Sequence, residues 1–113
     1  MNKFNNIQNL KKYNHIHMIG IGGISMSGVA EILQNWGIFV TGSDCTRSKI
    51  TDRLTSRGVF VSIGHDTKLA SKSDLIVYSA AVKEDDPELT YAREKNITII
   101  ERADFVRIYY QNI

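Results

Sequence analysis

The stretch "HIHMIGIGGISMSGVAEIL", residues 15–33, joins a short apolar run, a glycine-rich turn and a helical pattern. The run at 15–20 is typical of a buried strand. Apolar side chains then recur at the spacing i, i+3, i+4 and i+7, which predicts a helix with one buried face; they are Met26, Val29, Ala30 and Leu33. Gly37 follows where such a helix commonly ends. This succession of strand, glycine turn and helix predicts an α/β domain.

The remainder of the chain repeats the alternation of strands and helices. Apolar runs predict further strands at 38–44, 59–63, 74–80 and 97–100. Helices are predicted at 48–57, from Asp86-Pro87 onward and at 101–111, with Asp86 as an N-cap and Pro87 in the first turn. Apolar strands separated by helices indicate a parallel sheet. The expected fold is an α/β, Rossmann-like, doubly wound sheet of about five parallel strands with helices on both faces.

Length, charge and composition limit the class of protein. The 113 residues fit a flexible lead-in over 1–13, which is rich in Asn and Lys, and one Rossmann-like domain over 14–113. The net charge of +2 gives no electrostatic argument for nucleic acid. No apolar run approaches the roughly 18 residues of a membrane span. Because Cys45 is the only cysteine, an intramolecular disulfide is impossible. We therefore expect a cytoplasmic protein with neither nucleic-acid nor membrane partners.

The glycine-rich turn predicts a site for a diphosphate. Gly20 lets the chain turn off the strand, and Gly22 and Gly23 leave backbone N–H groups uncovered for phosphate oxygens. Ser25 stands where the common G-x-G-x-x-G pattern has its third glycine. Asp44 ends the second predicted strand, where a carboxylate accepts hydrogen bonds from a ribose or base. Turn and carboxylate together predict a nucleotide with a diphosphate and leave its identity open.

Five segments, in order and in register, carry a resemblance to a known family. They are "HMIGIGGISMSGVAEIL" from residue 17, "TGSD" from 41, "IGHD" from 63, "VYSAAVKEDDPEL" from 77 and "ERADF" from 101. Together they closely resemble the N-terminal domain of the Mur ligases of peptidoglycan synthesis. The resemblance covers about residues 14–106, which is nearly the whole chain.

The resemblance implies that this domain binds the UDP part of UDP-N-acetylmuramate and not NAD. The diphosphate would lie in the glycine turn, the uridine near Asp44 and His65, and "YSAA" (78–81) would close over the nucleotide. Ala80 has no hydroxyl, so its contact would come from the backbone. The residues implied in UDP binding are Gly20, Ile21, Gly22, Gly23, Ile24, Ser25, Ser27, Asp44, His65, Ser79, Ala80 and Ala81. No catalytic residue and no metal ligand is expected in this chain.

The family's reaction also requires ATP and Mg²⁺, which a phosphate loop holds. No G-x-x-x-x-G-K-[ST] motif and no Gly-Lys pair occur in this sequence. We therefore expect this chain to bind UDP-N-acetylmuramate but not to catalyse, with the ATP-binding central domain and the C-terminal domain lying outside it as its partners. The likeness is nearest to the members that join UDP-N-acetylmuramate to L-alanine.

Three alternatives stay open on the sequence. A ligase that attaches a recycled tripeptide to the same UDP-sugar would have a nearly identical domain. An NAD-binding regulatory domain of a potassium-transport system has this length and fold, although Ser25 and the "GHD" and "SAAV" segments count against it. Half of an NAD-dependent oxidoreductase is the third, but no catalytic dyad is visible.

Other polar residues are interpreted without a ligand. His15 and His17 have the spacing of a metal pair, but no carboxylate or cysteine lies near them in sequence, and we interpret both as partly buried structural residues. Cys45 has no base placed beside it and is interpreted as an incidental thiol. The acidic run "KEDDPE" (83–88) is interpreted as a loop and a helix cap.

Overall fold

Five parallel strands form the centre of the structure, a computed structural model that describes residues 6–111. The strands are β1 (His15–Ile19), β2 (Phe39–Asp44), β3 (Phe60–Ile63), β4 (Leu75–Tyr78) and β5 (Ile99–Glu101). Their order in the sheet is β3-β2-β1-β4-β5, and every neighbouring pair is parallel. The predicted Rossmann-like sheet is confirmed.

Helices cover both faces of this sheet. They are α1 (Ile7–Lys11), α2 (Ile24–Asn35), α3 (Lys49–Ser56), α4 (Thr67–Ala70), α5 (Pro87–Glu94) and α6 (Arg102–Gln111). Side chains from α1, α2, α3 and α6 share one apolar cluster with Leu75 and Val77 of β4. Because successive strand residues point to opposite faces, Ile76 lies in a second cluster with α4 and α5. None of the helices that the described residues form is long and apolar enough to cross a membrane.

Two short helices depart from the sequence prediction. Residues 1–5 of the predicted flexible lead-in lie outside the described residues, but residues 7–11 form α1. Asn6 caps this helix by accepting a hydrogen bond from the N–H of Gln8, and Leu10 is completely buried in the first cluster. α4 is too short to produce a helical period, and it begins where Asp66 accepts from the N–H of Leu69. Elsewhere, predicted and observed ends differ by one or two residues, as fraying ends commonly do.

The face of the sheet beneath α5 is partly polar. In the register of β1 and β2, His17 lies beside Thr41 and Ile19 beside Ser43. Since alternate residues share a face, the side chains of His17, Thr41 and Ser43 lie on the same side, and all three are buried. Glu88, in the first turn of α5, is also fully buried and contacts this strip from above. A buried polar strip thus joins the first turn of α5 to β1 and β2.

A glycine within β2 allows the glycine-rich turn to pack on the sheet. A Cβ added at Gly42 would lie 2.5 Å from Cδ1 of Ile21 and 2.9 Å from the carbonyl oxygen of Met18. Ile21 is completely buried, so its side chain has no free space into which to move. Because Gly42 has no side chain, Ile21 can pack against β2, and the turn after β1 can lie close to the sheet.

We expect Gly42→Ala to lower the free energy of unfolding by about 1–3 kcal/mol, because the added methyl overpacks the site of Ile21. Gly28→Ala is the matched control. Gly28 lies inside α2, and a Cβ added there would have no neighbouring atom within 4 Å, so alanine should raise stability by about 0.5–1 kcal/mol. Urea denaturation followed by circular dichroism measures both. Equal stability of the two variants would contradict the packing argument.

Candidate functional site

A cleft of about 750 Å³ opens at the carboxyl edge of the sheet. It lies where the strand order reverses between β1 and β4, which is the usual ligand site of open α/β sheets. Its walls are the ends of β1 and β2, the loop after β3, and the segment from β4 to the start of α5. The volume falls within the range of small-molecule sites.

The glycine-rich turn is fixed by hydrogen bonds to the end of β2. The N–H groups of Gly20 and Ile21 both donate to the carbonyl oxygen of Ser43, at 2.9 and 3.0 Å. The N–H of Gly22 donates to Oδ2 of Asp44 at 2.8 Å. Gly20 has φ +80°, which favours glycine, and this angle turns the chain off β1. These N–H groups hold the turn in shape, so they are not free to bind an anion.

The first turn of α2 presents the free donors instead. Gly23 is the N-cap and supplies no side-chain hydrogen bond. The N–H groups at 24–26 therefore have no intrahelical partner, and the positive end of the helix dipole lies there. Arg102, at the start of α6, donates from Nη1 to Oγ of Ser25 at 3.0 Å. An uncapped helix end with a guanidinium beside it is suited to an anion.

The structure brings some of the predicted site residues to the cleft and leaves others away from it. Those that line the cleft are Gly20, Gly23, Asp44, His65, Ser79 and Ala81. Of the remainder, Ile24, Ser25 and Ala80 are exposed outside the lining. The side chain of Ile24 is 84% exposed, so any role in phosphate binding belongs to its backbone.

Three predicted site residues have structural roles behind the cleft. The side chain of Ile21 is buried in the core. The hydroxyl of Ser27 donates to the carbonyl oxygen of Ile24 at 2.8 Å and is nearly buried. Gly22 lies against Asp44, whose other oxygen accepts from the N–H of Thr46 at 3.1 Å. The Asp44 carboxylate therefore clamps the glycine-rich turn to the end of β2, in addition to lining the cleft.

A buried carboxylate, Glu88, organises the opposite wall. Its Oε1 lies 2.7 Å from Nε2 of His17, and its Oε2 accepts from the hydroxyl of Ser43 at 2.7 Å. Oε2 also lies 3.1 Å from Nδ1 of His65, a residue that lines the cleft with a side chain 53% exposed. Burial raises the pKa of Glu88, but the hydrogen bonds from His17, Ser43 and His65 lower it, and on balance it lies below the usual value.

Sequence reasoning missed Glu88 and the polar strip beneath it. The interpretation of His15 and His17 as partly buried structural residues fits His15, whereas His17 is completely buried. A signal was available: the two histidines alternate with Ile16 and Met18 at a period of two, which places both on one face of β1. The cleft lining also includes residues that were not predicted, namely Ile19, Ser43, Cys45, Gly64, Val82, Lys83, Asp85, Asp86 and Pro87.

The spacing of three groups beside the cleft would also fit a cation. Atoms of His65, Asp86 and Glu88 lie within 4.8 Å of one another. Hydrogen bonds account for this spacing, because Glu88 accepts from Ser43 and His65, and Oδ1 of Asp86 accepts from the N–H groups of Glu88 and Leu89. We therefore assign these groups to the hydrogen-bond network of the wall.

Two adjacent glycines should respond differently to alanine. A Cβ at Gly22 would lie 2.7 Å from Oδ2 of Asp44 and 3.1 Å from Cγ2 of Thr51. We expect Gly22→Ala to break the clamp between turn and strand and to cost about 1–3 kcal/mol of stability. At Gly23, the nearest atom to a Cβ is 3.6 Å away, so Gly23→Ala should cost less than about 1 kcal/mol, as a poorer N-cap. Chemical denaturation compares the two, and a larger loss at Gly23 would refute the assignment.

Comparisons with known proteins show the family of this chain. A family model described as "Mur ligase family, catalytic domain" matches residues 15–112. A UDP-N-acetylmuramate–L-alanine ligase from Clostridium botulinum (strain Hall) is 52% identical over 95 residues, which cover 84% of this chain and 21% of that protein. The chain thus spans about a fifth of the length of the curated relatives it matches.

Solved structures agree with this result. The UDP-N-acetylmuramate-alanine ligase of Thermotoga maritima superposes with a TM-score of 0.82 at 31% identity, over 88% of this chain and 23% of that one. A murein peptide ligase from Psychrobacter arcticus gives a TM-score of 0.75 at 26% identity, over 82% of this chain and 20% of that one. Since the family model covers most of the chain and a relative shares half of the aligned residues, the chain belongs to the Mur ligase family.

Proposed function

We propose that this chain is the domain of a UDP-N-acetylmuramate–L-alanine ligase that holds the UDP part of UDP-N-acetylmuramate. One observation carries the proposal. The glycine-rich turn, an uncapped helix end and a nucleotide-sized cleft meet at one edge of the sheet, in a chain half identical to relatives of that name. The diphosphate would lie at the first turn of α2, and the uridine between Asp44 and His65.

The charges around the cleft support this orientation. Arg102 lies beside the first turn of α2, and Lys83 lines the cleft. The carboxylate of Asp44 is on the same lining but accepts hydrogen bonds from two backbone N–H groups. A ligand with its anionic part at α2 and its hydroxyl and imide groups deeper in the cleft would match this division.

The amino-acid substrate is proposed from the relatives. The ligase of Thermotoga maritima superposes better, and with higher identity, than the murein peptide ligase of Psychrobacter arcticus. This difference favours L-alanine over a peptide as the group that is added. In a ligase of this kind, ATP and Mg²⁺ would belong to domains that carry a phosphate loop. The part of this chain is to hold the UDP-sugar so that its lactoyl carboxylate is aimed at them, in the cytoplasm.

A backbone-amide NMR titration of this chain with UDP-N-acetylmuramate, and with NADH in parallel, tests the proposal. We expect the UDP-sugar to shift resonances of residues 20–28, 44, 65 and 79–81, and NADH to leave them unchanged. Shifts at the same residues with NADH alone would replace the proposal with a dinucleotide site. The absence of shifts with both ligands would contradict UDP binding by this chain.

A charge-removing pair of variants tests the position of the diphosphate. Arg102→Met removes the cation beside the first turn of α2 and should weaken binding of UDP-N-acetylmuramate by about 1–2 kcal/mol, the scale of a charge-assisted hydrogen bond. Arg107→Met, on the same helix, is the control, because the side chain of Arg107 donates to Gln111, in the last described turn of α6. Isothermal titration calorimetry measures both affinities. An equal loss in both variants would indicate a nonspecific charge effect and would remove Arg102 from the site.

A further inference from the structure

A chain of hydrogen bonds runs from the amino end of β1 to the wall of the cleft. Nδ1 of His15 lies 3.0 Å from the carbonyl oxygen of Lys72, and its Nε2 lies 2.8 Å from Oγ1 of Thr41. The same Oγ1 lies 2.9 Å from Nδ1 of His17, whose Nε2 lies 2.7 Å from Oε1 of Glu88. We call these four residues, His15, Thr41, His17 and Glu88, the buried relay. Thr41, His17 and Glu88 are completely shielded from solvent.

The buried relay needs one more proton than it carries when both histidines are neutral and Glu88 is ionised. Each of its four contacts joins two electronegative atoms and therefore needs one hydrogen between them. Two neutral imidazoles and one hydroxyl bring one hydrogen each, and an ionised carboxylate brings none. Three hydrogens cannot fill four contacts. Because an unfilled contact would leave two buried lone pairs facing each other, the relay is satisfied only with an additional proton.

The order of donors locates this proton. The carbonyl of Lys72 can only accept, so Nδ1 of His15 donates to it. Nε2 of His17 lies 2.7 Å from a carboxylate oxygen of Glu88, whereas the ring nitrogens of His15 face only a carbonyl oxygen and a hydroxyl. A second ring hydrogen is therefore stabilised on His17, and Nε2 of His15 is an acceptor. Burial, which lowers the pKa of His15, acts in the same direction. The hydroxyl of Thr41 then donates to His15 and accepts from Nδ1 of His17. The fourth contact, between His17 and Glu88, receives the additional proton.

Glu88 is the ionised member of this last pair. Its carboxylate accepts from Ser43 and His65 on the oxygen that does not face His17, and these donors stabilise the anion. The additional proton therefore makes His17 an imidazolium, paired with a carboxylate that is equally buried. An ion pair so enclosed is satisfied only while both partners keep their charge.

The same carboxylate fixes the tautomer of His65. Since Oε2 of Glu88 accepts, Nδ1 of His65 carries the hydrogen, and a neutral ring then has a lone pair on Nε2. This nitrogen has no hydrogen-bond partner among residues 6–111, and the half-exposed ring lines the cleft. A lone pair accepts from a ribose hydroxyl or an imide N–H, and it repels a phosphate oxygen.

We propose that Glu88 is a positioning residue of the cleft. Paired with a buried His17 imidazolium, it holds His65 as the Nδ1–H tautomer. Nε2 of His65 then accepts a hydrogen bond from the nucleoside part of the ligand. The role of His65 rests on the proposed nucleotide site, whereas the proton of the relay does not. β2 contributes the hydroxyls of Thr41 and Ser43 to the hydrogen bonds of His17 and Glu88, and its last residue, Asp44, lines the cleft with His65. The titratable and charged groups packed around it are His15, His17, His65, Asp86 and Glu88, with Lys72 and Asp74 beside His15.

Imidazole ¹⁵N NMR of this chain at pH 7 tests the assignment directly. We expect His17 to carry hydrogens on both ring nitrogens, and His15 and His65 to carry one each, on Nδ1. A His17 ring with a single hydrogen would overturn the proposal, and so would a His65 ring that carries its hydrogen on Nε2. This measurement needs neither a ligand nor a variant, so it decides the inference even if UDP-N-acetylmuramate does not bind.

Glu88→Gln is the informative variant, because its amide supplies the missing hydrogen covalently. The amide group can donate to a neutral His17, and the carbonyl can still accept from Ser43 and His65. We expect His17 to lose its second hydrogen in this variant while His65 keeps the Nδ1–H tautomer. A His17 that stays doubly protonated in Glu88→Gln would contradict the pairing with Glu88. Glu94→Gln, at an exposed position of the same helix, should change neither ring.

Ligand titrations complete the test. We expect UDP-N-acetylmuramate to shift Nε2 of His65, and inorganic pyrophosphate to shift only amides at the start of α2. Glu88→Leu should release the His65 tautomer and weaken UDP-N-acetylmuramate binding about tenfold, the scale of one buried hydrogen bond, with a smaller loss in Glu88→Gln. If Glu88→Leu does not fold, the Gln variant and the parent spectra still decide. A response of Nε2 to pyrophosphate equal to that with the UDP-sugar would overturn the nucleoside assignment.

Discussion

Ser43, the penultimate residue of β2, joins the two walls of the cleft. Its carbonyl oxygen accepts from Gly20 and Ile21, which fixes the glycine-rich turn, and its hydroxyl donates to Glu88, which fixes the opposite wall. These three hydrogen bonds form because the parallel register places Ser43 beside Ile19 at the end of β1. Buried polar groups must be paired, so neither wall can shift without breaking a bond at this residue. The shape of the cleft is therefore set by the sheet.

The glycine-rich turn is tied to β2 through its own backbone. Its N–H groups at Gly20, Ile21 and Gly22 are consumed in holding the turn to β2. Glycine is needed at position 22 because the Asp44 carboxylate occupies the space of a side chain. The donors left for an anion are those of the first turn of α2, one step further along the chain. The glycine pattern thus locates the turn beside these donors without identifying which of its N–H groups are free.

The sequence predicts the fold well because the fold depends on short-range periodicity. The spacing of Met26, Val29, Ala30 and Leu33 defines α2, and all four are buried in the structure. Asp86-Pro87 correctly marks the start of α5. α1 was missed because it depends on a single buried contact, Leu10, which a helical period cannot reveal.

The polar wall of the cleft was harder to predict because it depends on long-range register. His17 and Glu88 are 71 residues apart, and they come into contact only because the fold packs α5 against β1. The acidic run that contains Glu88 is typical of an exposed loop, and only one of its carboxylates is completely buried. Motif resemblance predicted His65, which lines the cleft, but not the carboxylate behind it. A side chain that positions another side chain belongs to no local sequence motif, so the sequence alone does not reveal it.

In the proposed site, the two walls of the cleft have different tasks in recognising a ligand. The first turn of α2 and Arg102 offer positive potential, which any diphosphate satisfies equally. Discrimination among nucleotides therefore requires directional groups, and His65 is such a group on the other wall. Its direction depends on Glu88, which cannot reorient without leaving a charge unpaired in the interior. A wall fixed in this way is organised before the ligand arrives, so binding does not have to order it. Under the proposed function, specificity in this cleft is thus built by a helix whose buried carboxylate never needs to touch the ligand.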